Sequence, residues 1–190
     1  MTDLGKLTYY LGIEVSQTEG GIKIKQESYA LKILKEVGMQ SCKPTLCPME
    51  PGLKLSKNED EPEVNATKFR KIVGYLRYLL HTQPDLAYSV GVVSRYMQNP
   101  KETHAHAIKH ILRYLCGTTS LGIKYKRCEN LKLVGYSDSN HNVDKDDGKS
   151  TTGHIFYLGS SPVTWCSQKQ VTVALSSCEA EFIMATATAC

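Results

Sequence analysis

Residues 131–138, Leu-Lys-Leu-Val-Gly-Tyr-Ser-Asp, decide how the rest of the chain is read. Leu133 and Gly135 alternate with Val134 and Tyr136, which is the two-residue period of a β-strand. The run ends on a carboxylate just as Ser139, Asn140 and His141 open a polar loop. An acid at the end of a buried strand is costly to hold unless positive charge meets it, from a metal ion or a basic partner. Asp138 is therefore the first candidate site residue, and Glu181, on a segment expected to be helical, is the second.

Downstream the period of two persists. Residues 121–127, 152–158 and 163–168 read as strands, with Gly159-Ser160-Ser161-Pro162 as the turn between the last two. Strands 131–138, 152–158 and 163–168 predict a three-stranded antiparallel meander whose third member extends through 171–175. Ser176-Ser177-Cys178-Glu179 matches the capping box S-x-x-E and predicts a helix start. The box separates two acids: Glu179 is engaged with the cap, whereas Glu181 lies about 200° around the helix and faces elsewhere. Phe182, Met184 and Ala185 offer part of a packing surface.

Upstream, residues 7–15 and 21–26 read as the arms of a hairpin, with Ile22 and Ile24 alternating with Lys23 and Lys25. Residues 26–37 switch to helical spacing: Tyr29, Ile33, Leu34 and Val37 share a face and Gly38 stands at the C-cap. Residues 41–63 hold four of the seven prolines and the acidic run 58–63 (NEDEPE), which predicts a linker or extended connection rather than a packed element. Three helices follow. Asn65 caps the first, with Phe69, Ile72, Val73, Leu76 and Leu80 inward; Thr82-Gln83-Pro84-Asp85 starts the second, burying Leu86, Val90, Val93 and Met97. Asn99-Pro100 starts the third, with Ile108, Ile111, Leu112 and Leu115 inward and Gly117 as its stop.

At 190 residues, 41% hydrophobic and 22% charged, the chain is long enough for one ample core or two small ones, and wholesale disorder is excluded. The net charge of +4 is mild, but between Lys101 and Lys132 seven Lys/Arg stand against two acids. Lys109, Arg113, Lys124, Lys126 and Arg127 could contact phosphates; a solvated helix face is the blander alternative. His106 and His110, four apart on the third helix, have metal-binding spacing, but no HExxH pattern or third ligand accompanies them, so exposed histidines, His104 included, are expected. Cys42 and Cys47 resemble half a zinc site without a second pair. The seven cysteines are irregularly spaced, the N-terminus has no signal-peptide pattern, and no apolar run approaches the ~20 residues of a membrane helix. Reduced thiols in an intracellular protein, cytoplasmic or nuclear, are the expectation.

The phrases FRKIVGYLRYLLHTQPDLAYSVGVVSRYMQNP, HILRYLCGT, LVGYSDSN, KSTTGHIFYLGSSPVTWCSQKQ and VALSSCEAEF resemble the pol polyprotein of copia-type LTR retrotransposons, nearly end to end and in order. The resemblance implies a mixed α+β chain. Residues 1–50 would be the palm-end hairpin and helix of a reverse transcriptase and 51–64 a linker. Residues 65–118 would be a three-helix thumb and connection region, and 121–190 the start of a ribonuclease H-like domain, a β-meander plus helix. The family copies RNA into DNA and degrades the RNA of the hybrid. By the same resemblance Asp138 and Glu181 are catalytic carboxylates that hold Mg²⁺, and an RNA–DNA hybrid is the partner.

The family site uses further aspartates on a later strand and helix, and the polymerase motif YxDD occurs nowhere in this sequence. The expectation is therefore a catalytically incomplete fragment, its Met1 standing where the family has an internal methionine in MTDLG. The family's S-D-x-D-W is here Asp138-Ser139-Asn140-His141. Asp144, Asp146 and Asp147 are expected in a solvated turn rather than as replacement ligands. One edge of strand 131–138 would be unpaired, which predicts self-association or docking with a partner. The alternatives are a non-enzymatic nucleic-acid- or protein-binding module and, third, residual Mg²⁺- or Mn²⁺-dependent nicking.

Overall fold

The computed structural model describes residues 5–57, 60–127 and 131–189. Met1, Asn58 and Glu59 of the acidic run, and Cys190 lie outside them. Among the described residues the elements are mixed α and β: seven strands in two antiparallel sheets and five α-helices.

The first sheet has the order β1-β2-β3-β4, formed by Tyr9–Tyr10, Ile13–Thr18, Gly21–Lys25 and Gly122–Lys126. The predicted first arm is broken in two because Leu11 and Gly12 take positive φ (46° and 78°) and turn β1 back onto β2. Only glycine adopts such a φ without strain, so Gly12 carries the turn. The strand at 122–126, grouped by the resemblance with residues 121–190, pairs with β3, Ile123 opposite Ile24 and Lys124 opposite Lys23. Its period-two pattern fits either sheet equally, and pairing with a hairpin some hundred residues earlier is invisible to local reading.

Helix α1 (Glu27–Glu36) ends as its glycine predicts. Gly38 has φ 70°, Met39 N–H donates to the Leu34 carbonyl at 2.8 Å and Gly38 N–H to that of Lys35 at 3.2 Å, a Schellman motif. Helix α2 (Ala66–Leu79) is capped by Asn65, whose side chain accepts from Lys68 N–H at 2.9 Å. The predicted second helix is a composite: 3-10 turns at Pro84–Leu86 and Ser94–Tyr96 flank α3 (Ala87–Val93). Thr82 does not cap it; its hydroxyl is buried on the Gln26 side chain at 3.0 Å. Helix α4 (Glu102–Thr118) begins at Lys101 rather than Asn99 and runs past Gly117.

Ile33, Leu34, Val73, Leu76, Leu79, Leu86, Val90, Ile111, Leu112 and Leu115 form one apolar core among α1–α4, each at most 2% exposed. The segment expected to be a linker is extended but packed on that core. Leu55 is buried, its carbonyl accepts from Tyr96 Oη at 3.0 Å, and the Ser56 carbonyl meets His104 Nε2 at 3.0 Å. The acids beside it are also engaged: Glu61 accepts from Thr103 N–H at 2.9 Å at the start of α4, where the helix dipole favours negative charge. That backbone hydrogen bond holds its carboxyl below the usual value.

The second sheet is the predicted meander, β5 (Leu133–Asn140), β6 (Thr151–Leu158) and β7 (Ser161–Lys169), in the order β5-β6-β7. Residues 171–175 do not extend it; Val171 and Leu175 are 87% and 89% exposed. One face meets the helices: Trp165 Nε1 donates to the Leu80 carbonyl at 2.9 Å. A Cβ added to Gly91 of α3 would stand 3.3 Å from the Ser167 carbonyl, so a small residue is needed at this contact. Helix α5 (Ser177–Ala189) lies against β5, burying Ala180 and Met184.

Candidate carboxylate site at the end of strand β5

Asp138 stands on β5 opposite Gly153 of β6. Contrary to expectation it is exposed, because β5 is an edge strand with Leu133 and Tyr136 each 62% exposed. No basic group is needed to offset its charge there. Asp138 lines an open cleft of about 630 Å³ between the meander and the helices, together with Asp85, Tyr88, Tyr136 and Trp165. Asp85 is engaged by α4: its carboxylate accepts from Tyr114 Oη at 2.7 Å, and burial together with this carboxylate pushes the phenol up to about 12.

The capping box forms as the sequence predicts. Ser176 Oγ accepts from Glu179 N–H at 3.1 Å and Glu179 Oε2 accepts from Leu175 N–H at 2.7 Å. Glu181 is thereby left to face β5, where its Oε1 accepts from Ser139 N–H at 3.3 Å. The fold thus brings Glu181 to the residue after Asp138, 42 positions apart in sequence. Replacing Ser176 by alanine should cost about 1 kcal/mol, the ordinary worth of an N-cap. A thermal melt checks this, and an unchanged midpoint would mean the cap contributes nothing to the docking of α5.

Gln170, which sequence reading passed over, holds this corner together. It is 6% exposed, and its Nε2 donates to the Ala180 carbonyl at 2.9 Å and to Ser139 Oγ at 3.3 Å. Only its place between a strand end and a helix start marks it in the sequence. His141 Nε2 meets the Ala174 carbonyl at 3.2 Å, fixing the same junction.

The acidic loop is not the solvated turn expected. Asp144 is 5% exposed and pairs with Lys169 at 2.6 Å and with Arg95 at 3.2 Å; Asp147 pairs with Lys169 at 2.7 Å. Asp146 accepts from Ser56 Oγ at 2.6 Å and Lys57 N–H at 3.0 Å. The loop therefore joins the meander to the helical core and to the extended connection. Turn-rich composition hid this, since its partners are distant in sequence.

His104 is fully buried rather than exposed. Its ring stacks on Tyr96 with centroids 3.9 Å apart, and its Nδ1 accepts from Lys101 N–H at 2.9 Å. His106 is exposed, and His110 Nε2 meets the Cys47 carbonyl at 3.0 Å. Among the described residues no group of three or more His, Cys, Asp or Glu is placed to hold a metal ion.

The basic residues divide among elements. Lys109 is exposed on α4, beside a groove it lines with Lys68 of α2, and Arg113 is tied by Nε to the Lys43 carbonyl at 2.9 Å. Lys124 and Lys126 project from one face of β4, Lys124 directly opposite Lys23 of β3, and Arg127 follows. Lys23, absent from the expected set, was legible only as the polar half of an alternating arm.

Residues 1–51 match the family model "Reverse transcriptase (RNA-dependent DNA polymerase)". The chain is 43% identical over 180 residues to a retrovirus-related Pol polyprotein from transposon RE1 of Arabidopsis thaliana, 95% of this chain and 12% of that protein. It is 37% identical over 197 residues to the Pol polyprotein from transposon TNT 1-94 of Nicotiana tabacum, 99% of this chain and 15% of that protein. An uncharacterized mitochondrial protein of Arabidopsis thaliana is 34% identical over 183 residues, 96% of this chain and 75% of that protein. The chain belongs to the Pol polyproteins of copia-type retrotransposons, as the quoted phrases implied. It spans 12% to 15% of the length of the two Pol relatives. No solved structure matches it. Among the described residues no helix is long and apolar enough to cross a membrane.

Proposed function

We propose that this chain is the junction of a copia-type Pol protein. Residues 1–50 close the reverse transcriptase palm, 51–64 connect, 65–118 supply thumb and connection helices, and 121–190 begin a ribonuclease H-like domain. Strand β4 ties the last of these to the palm-end sheet. What supports the reading above all is the hydrogen bond from Ser139 N–H to Glu181, beside Asp138, while Glu179 is held in the cap.

Asp138 and Glu181 would hold a Mg²⁺ ion, which when bound polarises a water for phosphodiester cleavage. Two exposed carboxylates suit one such ion, which prefers oxygen ligands and keeps several waters. They do not suit two ions, because no third acid stands with them among the described residues. The chain is accordingly read as catalytically incomplete by itself. Two results are expected with an RNA–DNA hybrid in Mg²⁺: retention at low salt, and no RNA cleavage above background. Turnover that disappears in Asp138→Asn would overturn the incompleteness and vindicate the site; turnover that survives that substitution would overturn the site.

A second reading, a nucleic-acid-binding module without catalysis, is favoured by the lysines that share one face of β3 and β4, Lys23 opposite Lys124 with Lys126 beyond. For about four phosphate contacts, affinity should fall about 10²-fold between 50 and 200 mM salt. Charge reversal at Lys23, Lys124 and Lys126 should abolish retention, and unchanged retention in that variant removes this reading.

Among the described residues no strand pairs with the outer edge of β5, and Leu131, Leu133 and Phe182 beside it are 59%, 62% and 76% exposed. Exposed apolar edges recruit other strands. Size-exclusion elution should shift to larger apparent mass with concentration, and Leu133→Lys should suppress the shift. A monomer at all concentrations would contradict a self-completing edge.

A further inference from the structure

After α1 the chain runs back across the last turns of α4 and is fastened there by backbone carbonyls. Arg113 Nε donates to the Lys43 carbonyl at 2.9 Å. The Cys116 thiol approaches the Cys42 carbonyl at 3.5 Å and that of Gln40 at 3.6 Å. Pro44 Cβ stands 3.0 Å from where a Cβ on Gly117 would be, so the segment lies close on the helix. Cys42 and Cys116 are thus neighbours across a sequence gap of 74 residues, and both are only partly buried. The other described thiols lie elsewhere, Cys166 on β7 and Cys178 in the first turn of α5, while Cys47 is on the connection itself. No third ligand joins the two thiols in a metal group among the described residues.

We propose that Cys42 and Cys116 form an oxidation site, closing into a disulfide when they meet a small-molecule disulfide such as oxidised glutathione. One protein thiolate attacks a sulfur of the small disulfide, forming a mixed disulfide and releasing one small thiolate. The second protein thiolate attacks the protein sulfur of that mixed disulfide, forming the Cys42–Cys116 bond and releasing the other small thiolate. The two protein thiols lose two protons and two electrons, and the small disulfide becomes two thiols. Closure staples the segment after α1 to the end of α4 and encloses α2, α3 and most of α4 in one covalent loop, which restricts the unfolded chain.

Burial, and then the Cys116 thiol beside it, raises the Cys42 thiol above its ordinary value. The attacking species is the thiolate, so closure is slow at neutral pH and faster towards pH 9. This behaviour fits a slowly set staple rather than a fast peroxide sensor.

The full chain is incubated with oxidised glutathione at pH 8, quenched with acid and digested without reduction. The expected result is a peptide pair joining Cys42 to Cys116, 2 Da lighter than the sum of the thiols. With it, the melting midpoint should rise by about 5–15 °C, reversed by dithiothreitol. Cys116→Ser should lose both, and Cys166→Ser should keep both. Glutathione retained on Cys42 and Cys116, a Cys42–Cys47 bond, or a cross-link without a rise in midpoint would each overturn the proposal.

Discussion

Replacing Asp144 by alanine should lower the melting midpoint by about 5–15 °C, from a loss of about 2–4 kcal/mol in a chain of this size. The carboxylate is buried between Lys169 at 2.6 Å and Arg95 at 3.2 Å, whose side chains are 24% and 14% exposed. Its Oδ1 also accepts from Asp146 N–H at 3.0 Å. Removing it leaves Arg95 without its carboxylate and Lys169 with Asp147 alone, and loosens the loop that binds Ser56 and Lys57 through Asp146. Partial exposure of the cations keeps the loss below that of a fully buried pair. Asp144→Asn should lose less, since an amide oxygen can still accept from Asp146 N–H. Burial alone would raise the Asp144 carboxyl, but Lys169, the Asp146 N–H and Arg95 outweigh it and hold the folded value below the ordinary one. The folded state then binds a proton less readily than the unfolded chain. The stabilisation is complete above about pH 5 and is lost as the pH falls through the folded value. Urea titrations of the parent and Asp144→Asn from pH 7 to pH 3 read this directly. The gap between them should narrow in acid, and a gap that stays constant would show that the charge is not the source.

What was legible in the sequence shared a simple cause: information within a few residues. The stop of α1 at Gly38, the Asn65 cap, the inward stripe Ile108, Ile111, Leu112 and Leu115, and the Ser176–Glu179 box are all local. Each was read from spacing and appears in the structure as read. The placement of Glu181 has the same local cause: the box assigns Glu179 to the cap, which leaves Glu181 to face β5.

What escaped depended on partners far along the chain. Strand β4 has a good period but no mark saying that Ile24, rather than a later strand, lies opposite Ile123. Asp144 and its neighbours look like any polar turn until Arg95 and Lys169 come to meet them. The opening expectation for Asp138 also failed in one respect. Apolar alternation in residues 131–138 suggested burial, but alternation shows only that a strand has two unlike faces. At a sheet edge even the apolar residues stand in solvent, and so does the acid.

His104 extends this point into a measurement, because its buried role is what fixes the supposed linker. Since Nδ1 accepts from Lys101 N–H, the ring proton is on Nε2 and is donated to the Ser56 carbonyl at 3.0 Å. The ring lies flat on Tyr96, whose own hydroxyl donates to the neighbouring Leu55 carbonyl at 3.0 Å. Two stacked rings thus clamp residues 55 and 56 to the start of α4. His104→Ala should cost about 2–4 kcal/mol, from a cavity beneath Tyr96 plus an unsatisfied N–H and carbonyl. His104→Phe separates the contributions, because it keeps the stacking volume and loses both hydrogen bonds; it should cost about 1–3 kcal/mol. Limited proteolysis adds a local readout. Cleavage after Lys54 or Lys57 should accelerate in both variants before global unfolding, because the carbonyl that holds Ser56 has lost its donor. A phenylalanine variant as stable and as protease-resistant as the parent would assign the clamp to stacking alone, and residues 55 and 56 would then be held by Tyr96 rather than by the histidine.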